Sequence, residues 1–233
     1  MPHAELINYF AERFGFGRYL EIGVQAGVTF NAVRIASKTA VDPAFAIARD
    51  RLDGESFKMT SDAFFDQYPD AAFDFVFIDG LHTFEQSLRD FTRSLFRIPR
   101  TGLILIDDCF PSDYYASLRS FEACTNAKTS EKYPDRSWMG DVFKTILVIH
   151  DYFDSVSFAY IEGTLGVVAV WFEPRTVMPL FQTMEEIFRC DYAQFRYEIG
   201  PRLPRMTLVE AGDAIDRRQN PNLKAAAAAA SLG

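Results

Sequence analysis

Positive charge, cysteine and long apolar runs are scarce in this sequence, and each scarcity excludes a class of protein. Twenty-four lysines and arginines stand against 32 aspartates and glutamates, a formal charge of -8. A surface of that sign does not coat nucleic acid, whose phosphates call for a basic footprint. Only three cysteines occur, Cys109, Cys124 and Cys190, an odd number without metal-type spacing. They predict free thiols in a reducing compartment and no disulfide framework. No apolar run approaches the ~20 residues that span a bilayer. The first residues carry Glu5, Glu12 and Arg13 where a signal peptide needs an apolar stretch. The expectation is a cytoplasmic protein with neither a membrane nor a nucleic-acid partner.

What is abundant is core material. Hydrophobic residues make up 48% of the 233, and 23 are phenylalanine, most of which should pack a core. One domain over residues 1–222 is expected, with an alanine-rich, low-complexity tail at 223–233. Leu6, Ile7, Phe10 and Phe14 recur at helical spacing. Apolar runs then alternate with helical patterns: strands at 18–23, 39–42, 56–60, 73–80 and 102–109, helices at 29–36 and 83–96. Such alternation predicts an α/β fold with a parallel sheet and right-handed crossovers. Residues 111–141 read as an irregular insert, longer than a connector needs, and are expected to form a lid. A helix at 141–153 follows, then "SVSFAYIEG" and "LGVVAVWFEP" on either side of Gly163-Thr164, an antiparallel hairpin closing the sheet. Residues 178–188 read as the final helix.

The stretch "YLEIGVQAGVTF", residues 19–30, ends a strand in Glu21-x-Gly23-x-x-x-Gly27 and restarts as a helix. A turn of that kind leaves backbone bare for a ligand. Asp42 ends the next strand about 20 residues on, where a carboxylate suits the two vicinal hydroxyls of a ribose. Ser61 and Asp62 follow the third strand and are placed to reach an adenine edge or to cap the next helix.

"LEIGVQAG", "VDP", "SDAFF", "FDFVFIDGLH" and "GLILIDD", in this order, resemble the class I S-adenosylmethionine-dependent methyltransferases over roughly residues 15–175. The resemblance implies a Rossmann-like sandwich: a mostly parallel seven-stranded sheet with an antiparallel last strand and helices on both faces. It also implies that the Glu21-x-Gly23 turn lies under the methionine part of the cofactor, that Asp42 holds the ribose, and that Ser61 and Asp62 face the adenine. Gly27 and Asp79 are counted with these contacts.

Asp79 ends one buried strand, and Asp107 with Asp108 ends its expected neighbour, ~4.8 Å away. Three carboxylates at one crevice repel each other unless a cation lies between them, and oxygen ligands favour Mg²⁺. Asp107 and Asp108 can share an ion only where the strand has ended, because consecutive side chains point to opposite faces. His82 follows Asp79 by three residues and is expected as the general base, with Asp107 as the alternative. His3 reads as a surface residue and His150 as structural. The set resembles the metal-dependent O-methyltransferases, of the catechol type and of the bacterial sugar type that tailors macrolides and aminocoumarins. "IDGLH" leans toward the sugar type, in which a histidine base is more frequent. "SWMGDVFK", residues 137–144, supplies Trp138, Asp141 and Lys144 as candidate lid or substrate contacts.

The expected function is methyl transfer to a hydroxyl of a sugar, polyol or phenol, by a chain that can form a homo-oligomer. Three readings stay open beside it: a metal-independent O- or N-methyltransferase, a non-catalytic cofactor-binding protein, and an NAD-dependent oxidoreductase. The glycine spacing and Glu21 disfavour the last.

Overall fold

In the computed structural model, which describes residues 1–219, strands and helices alternate as the apolar pattern predicts. In chain order they are α1 (His3–Phe14), β1 (Arg18–Ile22), α2 (Val28–Ala32), β2 (Ser37–Val41), β3 (Glu55–Phe57), α3 (Ser61–Gln67), β4 (Phe75–Ile78), α4 (Phe84–Leu95) and β5 (Leu103–Ile106). Then come α5 (Phe121–Ser130), α6 (Phe143–Tyr152), β6 (Ser157–Ile161), β7 (Val168–Trp171), α7 (Met184–Arg189), α8 (Tyr192–Gln194), β8 (Arg205–Met206) and α9 (Leu208–Gln219). The alanine-rich tail lies outside the described residues.

The strands form one sheet in the order β3-β2-β1-β4-β5-β7-β6-β8. β1 to β5 run parallel, and β7 is antiparallel to both its neighbours, β5 and β6. The expected seven strands are present; the eighth, two residues of β8 beside β6, is too short to leave a periodic signal. Side chains alternate between the faces with period two. Leu20, Ile22, Val76, Ile78, Ile104 and Ile106 pack under α4 and α6. Tyr19, Phe75, Phe77, Leu103 and Leu105 pack under α1 and α9. Both faces are covered, which is why the central strands read as unbroken apolar runs.

Several boundaries differ from expectation for identifiable reasons. α2 stops at Ala32 because Asn8 takes over the chain there: its amide donates to the Ala32 carbonyl (3.0 Å) and accepts from the Arg34 N–H (2.7 Å). The insert at 111–141 contains a capped helix, α5, whose Ser120 hydroxyl accepts from the Ala123 N–H. Lys128 on α5 is fully buried and reaches Asp113 and Asp135, each at 2.9 Å, so the insert has a polar core of its own. The helix expected over 178–188 begins only at Met184, where Thr183 and Glu186 form a reciprocal capping box. The chain then continues through a π-helical turn, Phe195–Ile199, into α9, neither of which the sequence pattern announced.

The ladder extends one residue beyond the central strands: the Asp79 N–H donates to Ile22 O (2.8 Å) and the Asp107 N–H to Ile78 O (2.9 Å). Gly23 sits at this crossing with φ +86°, and a Cβ there would lie 1.9 Å from the Asp79 carbonyl oxygen. Gly23→Ala should therefore cost more than about 3 kcal/mol, strain and overlap acting together. Denaturant unfolding followed by circular dichroism measures this, and a midpoint within error of the wild type would contradict it.

Candidate functional site

The strand order reverses between β1 and β4, and a cleft of about 650 Å³ opens at their carboxyl ends. Ile22, Gly23 and Gln25 line it from the glycine turn, Val41 to Ala44 from the end of β2, and Thr60 and Ser61 from the start of α3. Asp79 to His82 form its floor, and Phe121 with Trp138 from the insert form its outer wall. Asp42 is buried and organises the turn: one oxygen accepts from the Val24 and Gln25 N–H groups (2.9 and 2.8 Å), the other from Ala44 (2.6 Å). A carboxylate accepts about four hydrogen bonds, so one position remains open toward the cleft. Ser61 donates to Asp90 (2.5 Å), a buried carboxyl on α4 that Gln86 also contacts (2.9 Å). Burial pushes Asp90 up to about 6 against those two donors.

Other expected cofactor contacts are placed elsewhere. Asp62 points away from the cleft to Arg89 and Arg93, because Thr60 and not Ser61 or Asp62 caps α3 and the first helical turn rotates Asp62 outward. Gly27 precedes α2 and abuts Leu52, on the far side of the turn. Glu21 shares the face of β1 that packs under α1, accepting from the Tyr19 hydroxyl (2.6 Å). Burial pushes the Glu21 carboxyl up to about 8, with the Tyr19 hydrogen bond opposing.

At the inner end of the cleft, strand register explains how the acids meet. Ile78 lies beside Ile106, so Asp79 and Asp107 are the next pair on the same face. Asp108 would point oppositely, but its left-handed backbone (φ 62°) turns the chain after the strand has ended. Its carboxylate then lies 3.0 Å from His82 Nδ1, while His82 Nε2 is 3.5 Å from Asp79. The expected trio thus separates into two sets sharing Asp79. Potential ligand atoms of Asp79, His82 and Asp108 lie within 4.8 Å of one another, as do those of His3, Asp79 and Asp107.

His3 is therefore not a simple surface residue. Its Nε2 is 3.0 Å from Asp107 and its ring packs against Phe77, because α1 covers the face onto which Asp107 projects. The hydrogen bond to Asp107 lifts its imidazole to about 9 against desolvation. Burial works to lower the His82 imidazole, yet Asp108 and Asp79 overcome it and lift it to about 11. Asp108 is pushed up to about 7 by burial. His150 stands apart, beside Asp151 at 2.6 Å.

The insert closes on this cluster. Trp138 stacks on His82 (centroids 4.7 Å apart), its carbonyl meets His82 Nδ1 at 2.7 Å, and its indole N–H donates to Leu118 O. Asp141 and Lys144 hold the insert rather than face a cavity. Asp141 accepts from the Phe84 N–H at the start of α4 and pairs with Arg119, and Lys144 donates to Phe188 O. Beyond Asp107 and Asp108 lies a second cavity of about 400 Å³, bounded by Phe110, Ser112, Met139, Tyr160 and Gly166.

Residues 20–109 match a family model described as a methyltransferase domain. The O-methyltransferase from Bacillus cereus, in complex with SAH, is similar at TM-score 0.53 and 14% identity, over 73% of this chain and 80% of that one. SAH-bound PaMTH1, a methyltransferase from Podospora anserina, is similar at TM-score 0.51 and 14% identity, over 73% and 78%. No curated protein sequence matches the chain. The chain thus has the fold of these methyltransferases, and residues 20–109 resemble the methyltransferase domain.

Two residues at the candidate site escaped the sequence reading. Asp90 falls on the buried stripe of α4 with Phe84, Ser87 and Phe91, and an acid on an apolar stripe was the available signal. His3 had no such signal, since only the packing of α1 brings it to Asp107.

The raised carboxyl of Glu21 has a consequence for stability. Its folded-state value near 8 exceeds the ordinary 4.5, so the folded chain holds the proton more tightly. Its contribution is complete below about pH 4.5 and is lost as the pH rises through about 8. Glu21→Gln removes this loss and keeps an acceptor for Tyr19. Without divalent ions, the variant should match the wild type at pH 4.5 and exceed it by a few kcal/mol above pH 8. Thermal unfolding across that range checks this; a constant difference would contradict it.

Proposed function

We propose that this protein transfers a methyl group from S-adenosylmethionine to a hydroxyl of a small molecule seated in the second cavity. The observation that carries the reading is the position of the acid and imidazole cluster, which borders both cavities. Asp79 and His82 line the cleft, Asp107 and Asp108 line the second cavity, and all four surround the small gap between them. S-adenosylmethionine supplies an electrophilic methyl on a sulfonium, which an oxygen nucleophile accepts.

In the cleft, the open acceptor position of Asp42 suits a ribose hydroxyl. Ser61 and Asp90 suit the polar edge of an adenine. Gly23 leaves the backbone uncovered for the amino-acid part, while Glu21, on the covered face beneath, supports the strand rather than touching the ligand. Phe121 and Trp138 exclude water over the same space, which matters because a cation and an anion are consumed together.

The donor chemistry fits a divalent cation. Asp107 and Asp108 are buried, Asp79 and Asp108 are held above the ordinary carboxylate range, and an imidazole lies beside each of Asp107 and Asp108. Asp79 and Asp108 would hold the ion, with Asp107 and His3 adjacent and His82 beside it, and oxygen-rich sites of this kind take Mg²⁺ or Mn²⁺. A bound divalent ion lowers the pKa of a coordinated hydroxyl.

His82 is the base that the geometry favours. Nδ1 faces the Trp138 carbonyl, an obligate acceptor, and therefore carries a proton in either state. Nε2 is left to take the proton of the acceptor once Asp79 and Asp108 are neutralised. Asp107 is the weaker candidate: one oxygen already accepts from the Asp108 N–H (2.8 Å) and the other faces His3.

Transfer of labelled methyl from S-adenosylmethionine to a panel of sugars, polyols and phenols tests the reading. His82→Ala should lower kcat on the order of a hundredfold, with cofactor affinity kept within about threefold. Chelation by EDTA should abolish turnover and added Mg²⁺ or Mn²⁺ restore it. Full activity in EDTA would instead favour a metal-independent transferase.

A further inference from the structure

The second cavity is lined by groups of both charges: the buried Asp107 and Asp108 with the half-buried His3, and the exposed Arg196 and Arg205. Arg205 projects from β8, and its guanidinium lies 5.1 Å from the ring centroids of both Phe110 and Tyr160. Those rings are 4.6 Å apart, and Phe110 also packs on Phe195, the residue before Arg196 in the π-helical turn. Aromatic faces orient a guanidinium without neutralising it. Among the described residues, neither Arg196 nor Arg205 is paired with a carboxylate.

Among the described residues, the other acid lining this cavity, Asp135, is already engaged. Asp135 is bonded to Lys128 (2.9 Å), Ser112 (2.9 Å) and Ser137 (2.6 Å), and these contacts hold it well below the usual carboxylate range despite partial burial. It leaves both arginines available. Tyr160 is fixed as well, its hydroxyl donating to Thr164 O (2.8 Å). Arg205 thus stands on an aromatic base, and with Arg196 it lines the same cavity of about 400 Å³ as Asp107, Asp108 and His3.

We propose that the methyl acceptor is an anionic hydroxy compound, whose carboxylate or phosphate is bound by Arg196 and Arg205 while its hydroxyl reaches the acid and imidazole cluster. The proposal rests on the methyltransferase reading and adds the acceptor's charge and orientation to it. A planar guanidinium matches either anion through paired N–H donors. Electrostatic attraction to the exposed arginines also orients the acceptor as it enters, and the buried acids repel an acceptor arriving with its anion first.

The test reads binding and is independent of turnover. The full chain, saturated with S-adenosylhomocysteine, is titrated calorimetrically with 3,4-dihydroxybenzoate and with its neutral amide, 3,4-dihydroxybenzamide. The benzoate should bind at least about tenfold more tightly at low salt, and 0.5 M NaCl should reduce that preference severalfold. In Arg196→Gln/Arg205→Gln the preference should fall below about threefold while S-adenosylhomocysteine affinity is unchanged. Arg196→Lys/Arg205→Lys, which keeps both charges, should retain part of it. Equal binding of the two probes by the wild type, or a preference that survives in the glutamine variant, would overturn the proposal. A wild type that does not bind S-adenosylhomocysteine would overturn the methyltransferase reading beneath it.

Discussion

Three carboxylates brought together at the ends of β4 and β5 set the terms for the rest of the molecule. Parallel register makes Asp79 and Asp107 neighbours, and the left-handed turn at Asp108 adds a third acid within reach of His82. Like charges so close, and largely out of water, are tolerated only with compensation. In the protein alone that compensation comes from two imidazoles, His82 and His3, each lifted well above its ordinary range. On the proposed reading a divalent ion would add to that compensation, and removal of one imidazole or one acid leaves the others unbalanced.

The surrounding fold isolates this cluster and gives it two entrances. The glycine turn and Asp42 shape the cleft on one side, where the backbone is bare enough for a ligand to approach closely. The insert, tied down by Lys128 inside and by Asp141 to the start of α4, places Trp138 against His82 and covers the same cleft. On the other side, residues distant in sequence, from Phe110 to Arg205, build the second cavity. The proposed transfer would use this layout by bringing two ligands to one polar boundary, each from its own side, with water kept from the junction.

How much of this could be read from the sequence follows from the range of the interactions. The buried parallel strands were legible because both faces are covered and the apolar runs are unbroken. Asp79, Asp107 and Asp108 stood out because they follow the ends of such runs, and His82 because it comes three residues after Asp79. The identities at Ser61 and Asp62 were visible, but the cap that rotates Asp62 toward Arg89 depends on helix phase, which shifts with a single residue. His3, Asp90 and the arginine pair were not legible as a site. Each is placed by packing between elements far apart in sequence, and none breaks a local pattern strongly enough to announce itself. The insert read as irregular because α5 is short and only weakly amphipathic, and is held by the buried Lys128 and its two aspartates, Asp113 and Asp135, which no periodicity encodes.

Asp79 belongs to both candidate ligand sets, so the account depends on it more than on any other residue. Manganese titration followed by electron paramagnetic resonance, on the wild type and on Asp79→Asn, is the most direct measurement. The account predicts one tight site per chain in the wild type and its loss in the variant, with the fold intact by circular dichroism. A wild type that leaves Mn²⁺ free, or a variant that binds it equally well, would contradict it.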